Sequence, residues 1–108
     1  MDQEHIEQFL RRVTLRQIEV LLVLQKHRSM SKSAAELGMS VANVSRVSKR
    51  FEMNLGKRIF AGDKRRSTLL EDADEILECL KPVGATIATL RINLQNIDPD
   101  GIAGSPET

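Results

Sequence analysis

The sequence has no tryptophan and no tyrosine, and three phenylalanines are its whole aromatic content. That scarcity argues against the aromatic platforms on which single-stranded nucleic acid stacks. It also leaves few anchors for a sugar or nucleotide pocket. A single cysteine, Cys79, excludes an intramolecular disulfide and points to a reducing cytosol. Two histidines, His5 and His27, stand far from Cys79 in the chain, so no zinc site is expected. No apolar run approaches the roughly 18–20 residues of a membrane span, and Met1-Asp2-Gln3-Glu4-His5 is not a signal peptide. No membrane partner is therefore expected. No Ser/His/Asp or paired-carboxylate arrangement stands out. The acids from Glu71 to Glu78 read as charge at a helix N-terminus. Neither a catalytic site nor a cofactor is expected.

What is present fits one domain. The chain has 108 residues, 41 % hydrophobic and 29 % charged, which is ordinary globular usage in a length suited to a single core. The net charge of +1 conceals a division. Residues 11–66 hold fourteen Lys/Arg against four acids (Glu19, Glu36, Glu52 and Asp63), a net +10. The remainder holds two basic and eleven acidic residues, a net −9. Such a split suits a surface for a polyanion beside a segment that avoids it; two solvated faces are the plain alternative.

Periodicity predicts mainly helix. Ile6, Phe9, Leu10 and Val13 form one stripe, so residues 1–13 read as a helical extension. Thr14-Leu15-Arg16-Gln17 has the form of a capping box, in which Thr and Gln side chains each satisfy a backbone donor. A core helix follows, from Leu15 to about His27. Ser29, Met30 and Ser31 supply cap candidates for a short helix near 31–37, and Gly38 ends it. Met39 plugs the turn and Ser40 caps the next helix. There Val44, Val47, Phe51 and Leu55 point inward, while Ser45, Arg46, Lys49, Arg50 and Met53 point out. Gly56 stops that helix. Two short strands around a Gly62-Asp63 tip fit residues 57–69. From 70 to 95, apolar residues recur at Ala73, Ile76, Leu80, Val83, Ile87, Leu90 and Leu94, a heptad seam. Pro82 and Gly84 predict a kink or break near residue 81. Residues 96–108 read as a disordered tail.

Helix, tight turn, basic helix and basic hairpin make the outline of a winged helix-turn-helix, whose second helix fits the DNA major groove. Residues Ser29 to Ser40, Val44-Ser45-Arg46, Glu52, Leu55-Gly56 and Ile59-Phe60, with Leu15-Arg16-Gln17-Ile18 before them, resemble the DNA-binding domain of LysR-type transcriptional regulators. The resemblance runs over roughly residues 14–95 without a gap. It departs from the family pattern at Val41-Ala42, where Gln-Pro is usual, and at Gly62, where Arg is common. Leu69-Leu70-Glu71-Asp72-Ala73 stands in place of Leu-Thr-x-Ala-Gly. Base preference should differ accordingly. Nothing in these residues corresponds to the family's effector-binding domain, so an excised domain or a small protein without a small-molecule effector is expected.

The resemblance implies a mainly α fold: a winged helix-turn-helix at 14–69 with a long C-terminal linker and dimerisation helix at 70–95. It implies sequence-specific binding of double-stranded DNA, at an inverted-repeat operator, by a homodimer in the bacterial cytoplasm, associated with the nucleoid. The expected DNA contacts are Ser31, Lys32, Ser40, Val41, Ala42, Asn43, Ser45, Arg46, Lys49 and Arg50, with Lys64, Arg65 and Arg66 on the wing. Val41 is a candidate for a thymine methyl. The expected dimer interface is Ile76, Leu80, Val83, Ile87, Leu90 and Leu94; core packing is the alternative for part of it. Two further readings compete. One is an interaction protein that forms a heterodimer with a related full-length regulator. The other is a nucleoid-type binder of low specificity.

Overall fold

The computed structural model describes residues 1–61, 68–70 and 72–97. Five helices and a two-stranded ribbon form a mainly α fold: α1 Gln3–Arg12, α2 Leu15–His27, α3 Met30–Leu37, α4 Val41–Leu55, β1 Phe60–Ala61, β2 Thr68–Leu69 and α5 Ala73–Gln95. The expected wing tip and its cations Lys64, Arg65 and Arg66 lie outside the described residues, as does the tail from residue 98.

Local caps set the helix starts. Side-chain oxygens of Asp2, Thr14, Ser29 and Ser40 accept from the N–H groups of His5, Gln17, Lys32 and Asn43 at 2.8–3.2 Å, satisfying orphan donors. Ser29 caps α3, which therefore starts at Met30. The capping box at Thr14 is only half made, because the Gln17 carboxamide oxygen accepts from Asn54 of α4 at 3.1 Å instead. Gly38 and Gly56 end α3 and α4 with φ of +65° and +76°, a region where a Cβ is strained.

The core sits between α2, α4 and the start of α5. Val20, Leu21, Leu24, Val44, Phe51, Ile59 and Leu77 are fully buried. Val47, expected inward, is half-buried, and Ser48 takes the deeper place. The helical extension packs by part of its stripe: Phe9 is buried, edge-on to Phe51 at 5.5 Å and 87°, Val13 is half-buried against the core, and Leu10 is exposed. The ribbon is antiparallel, with Phe60 opposite Leu69 and Ala61 opposite Thr68. The Leu70 N–H closes it, donating to the Ile59 carbonyl at 2.9 Å.

No break occurs near residue 81. Helix α5 runs through Pro82, which is exposed, and the Thr86 hydroxyl donates to the Pro82 carbonyl at 2.9 Å. Packing along α2 outweighs the proline's local penalty. Gly84 serves that packing: a Cβ there would lie 2.5 Å from Leu22 Cδ1. The heptad reading also needs adjustment, because Leu77, off the expected seam, is as fully buried as Ala73, which lies on it. Ile76, Leu80 and Val83 are half-buried against the chain's own core. Ile87 is buried. Leu90 and Leu94 are exposed, as are Ile92 and Ile97 beside them.

Candidate nucleic-acid interface

Helix α4 buries Val44, Ser48, Phe51 and Leu55. These lie on one side of a helical wheel, which turns Ala42, Arg46, Lys49, Arg50 and Met53 outward together. All five are exposed. Asn43 is exposed as well, and Ser45 and Val41 are half-buried at the flank. Val41 packs against the core, which limits what its methyls offer to a thymine. The first turn of α3 adds exposed Ser31 and Lys32.

The Ser40 hydroxyl oxygen is occupied by the Asn43 N–H, and its own O–H remains a donor. The Asn43 side-chain oxygen accepts from the Arg46 guanidinium one turn on, so Arg46 is oriented from within its own helix.

Charge pairing divides the molecule. On α2, Lys26 and His27 converge on Glu36 at 2.7 and 2.6 Å. The Lys26 hydrogen bond first, and then that from His27, hold the Glu36 carboxyl below the usual range. Arg91 of α5 meets Glu19 of α2 at 2.7 Å, and Arg16 meets it at 3.2 Å. The Arg91 hydrogen bond is the main cause of the lowered Glu19 value, against some opposition from burial. Reciprocally, Glu19 raises Arg91. Lys57, Arg28 and Lys81 face Asp72, Asp74 and Glu78. Among the described residues, none of the ion pairs involves Lys32, Arg46, Lys49 or Arg50. Those four cations are exposed, so their charge faces solvent.

Two positioning residues escaped the sequence reading of chemistry. The Glu52 carboxylate accepts the Ile59 and Phe60 N–H groups at 2.7 and 3.0 Å, tying the last turn of α4 to the first strand of the wing. Asn54 donates to the Arg12 carbonyl at 3.3 Å and to Gln17 at 3.1 Å, joining α4 to α1 and α2. Their partners lie at irregular separations, so no periodicity announces them. No group of three or more His, Cys, Asp or Glu among the described residues is placed to hold a metal ion. No helix among them is long and apolar enough to cross a membrane.

Known proteins agree with this geometry. The chain is 35 % identical over 69 residues to the HTH-type transcriptional regulator CfxR of Cupriavidus necator, covering 64 % of this chain and 22 % of that protein. It thus spans about a fifth of the length of that relative. The fold superposes on OxyR of Corynebacterium glutamicum (a C206 mutant) with a TM-score of 0.70 at 15 % identity, over 80 % of this chain and 27 % of that one. It also superposes on the DNA-binding domain of CbnR, solved in complex with DNA, with a TM-score of 0.65 at 17 % identity, over 77 % of this chain and 95 % of that one. Residues 15–74 match the family described as bacterial regulatory helix-turn-helix protein, lysR family. With more than half of its length inside that match, the chain belongs to the LysR family of bacterial helix-turn-helix regulators.

Proposed function

We propose that this chain binds double-stranded DNA in sequence-specific fashion, with α4 in the major groove, and acts in transcriptional control in the bacterial cytoplasm. The observation that carries the reading is the exposed α4 face, whose cations Arg46, Lys49 and Arg50 have no carboxylate partner among the described residues. A groove about 12 Å wide admits such a helix. Ser40, Ala42, Asn43, Ser45 and Arg46 are the candidates for base edges. Ser31, Lys32, Lys49 and Arg50 are the candidates for phosphate, together with the wing cations Lys64, Arg65 and Arg66.

Pairing of two chains through α5 completes the proposal. Leu90 and Leu94 border a shallow groove of about 350 Å³ with Ile87, Arg91 and Gln95, and both leucines are exposed in the single chain. Ile76, Leu80 and Val83 already pack on the chain's own core, so the outer end of α5 carries the interface. A two-fold dimer makes an inverted repeat the matching operator. The same face would serve pairing with a related regulator.

Selection from a pool of random-sequence duplexes tests the reading. Enrichment of one inverted repeat is the expected result. A pool that emerges unselected while binding persists identifies a nucleoid-type binder instead. Sedimentation of wild type and Leu90→Asp/Leu94→Asp tests the pairing: a dimer that becomes a monomer supports it, and a monomeric wild type refutes it.

A further inference from the structure

Helix α1 lies outside the family match at residues 15–74, yet it is fastened to the recognition helix at three levels. The Phe9 ring meets Phe51 edge-on. The His5 imidazole meets the Leu55 carbonyl at the end of α4. The Asn54 carboxamide donates to the carbonyl of Arg12, in the last turn of α1. Asn54 stands one turn beyond Arg50 and two beyond Arg46 on the same stripe of α4. The basic stripe of the recognition helix therefore leads directly to the C-terminal end of α1, where Arg11 and Arg12 sit.

The charges of α1 are sorted along its axis. Asp2 caps its start, Glu4 and Glu7 lie in its first half, and Arg11 and Arg12 in its last turn. Both arginines are exposed, and neither enters an ion pair among the described residues. Cations in a last turn suit the helix dipole, but that role requires no alignment with α4.

We infer that Arg11 and Arg12 extend the DNA-binding surface, gripping the phosphate backbone that flanks the groove entered by α4. The inference rests on the proposed DNA binding. A guanidinium is fitted to phosphate by its fork of donors, and a helix docked by Phe9, His5 and Asn54 presents the pair at a set place. Because phosphate carries no sequence information, α1 adds affinity rather than preference.

The test uses the full chain and a labelled mixed-sequence 30-base-pair duplex, with anisotropy titrations from 50 to 200 mM KCl. Arg11→Gln/Arg12→Gln should lower the slope of log affinity against log salt by up to about 1.8, two contacts at ~0.9 each. The advantage of wild type over the variant should then shrink about tenfold between those salt concentrations, that slope applied to a fourfold change in salt. Arg11→Lys/Arg12→Lys should recover most of the slope, which damage to the fold would not allow. A glutamine variant with wild-type slope and affinity overturns the role of α1, while a concurrent loss of binding in Arg46→Gln/Lys49→Gln/Arg50→Gln leaves the DNA reading standing. If that α4 variant binds as well as wild type, or wild type binds no duplex, the DNA reading itself fails and the inference with it.

Discussion

Gly84 of α5 lies so close to Leu22 of α2 that a β-carbon added to it would sit 2.5 Å from Leu22 Cδ1. The atom in the way is the tip of a flexible side chain, so an alanine gains helix propensity and asks Leu22 to turn aside. A larger residue must part the helices. Gly84→Leu should destabilise the fold by about 1–3 kcal/mol, the usual cost of overpacking. Leu22→Ala in the same chain should return part of that loss. Urea unfolding of both single variants and the double variant measures the coupling, expected to exceed about 0.5 kcal/mol for residues in contact. Additive losses would mean that the helices do not meet there.

Glu52 is the second structural test. Its carboxylate is the acceptor for two consecutive N–H groups at residues 59 and 60, both of them buried residues. Glu52→Ala leaves those donors unpaired and should cost about 1–3 kcal/mol. Glu52→Gln keeps one acceptor oxygen and should cost less. Hydrogen exchange at the Ile59 and Phe60 amides should quicken in the alanine variant before exchange in α2 does. Equal protection in all three proteins would remove Glu52 from this role.

Acid should loosen α5 through Glu19. Its carboxyl titrates below the ordinary 4.5 because Arg91, chiefly, and Arg16 bind the ionised form. A carboxyl depressed in the folded state stabilises the fold fully above its unfolded value, and that contribution is lost as pH falls through the folded value. The gap in melting temperature between wild type and Glu19→Gln should thus be constant above about pH 5 and close progressively below the ordinary carboxylate value. A gap independent of pH would show that the side chain acts by packing alone.

Arg46 carries the strongest expectation for recognition. Arg46→Ala should weaken a selected duplex by about 1–3 kcal/mol and relax preference at one base position, if its guanidinium meets a base edge. Arg46→Lys should fail to restore the preference, since an ammonium lacks the planar fork. Competition titrations with single-base variants of the selected duplex provide the readout. A uniform loss across all of them reassigns Arg46 to phosphate.

The helix boundaries were legible because they are written locally. Ser29, Ser40, Gly38 and Gly56 act on their own neighbours within three or four residues, and a reader of the sequence sees all the participants. Helix α5 was harder. Pro82 weighs against a helix in any local account, and it takes contacts from elsewhere, such as Gly84 with Leu22, the burial of Leu77 and Ile87 and the Arg91–Glu19 pair, to explain why the helix persists. Ile76 and Leu77 are adjacent and both apolar, so a periodic pattern accepts either as the inward residue until α2 is in place. The exposed face of α4 was legible from its apolar spacing and its charge together. Glu52 stood out only as part of the family resemblance, and Asn54, Arg11 and Arg12 not at all, because what gives each its place is a partner from another element.

The polar tethers of α4 are concentrated in its final turn: Glu52 to the wing, Asn54 to α1 and α2, and the Leu55 carbonyl to His5. Ahead of them, Val44, Ser48 and Phe51 seat the helix in the core. Hydrogen bonds depend on direction as well as distance, whereas apolar contacts depend on distance alone. The helix is thus clamped at its final turn by hydrogen bonds and bedded along its length by apolar contacts as far as Val41. Were α4 to tilt, residues 52–55 would be the pivot, and the reach of the tilt would grow toward Ser40. On the proposed DNA binding, an imperfect duplex would be accommodated by trading van der Waals contacts near Val44, while β1 and α1, fastened at the pivot, keep their place on α4.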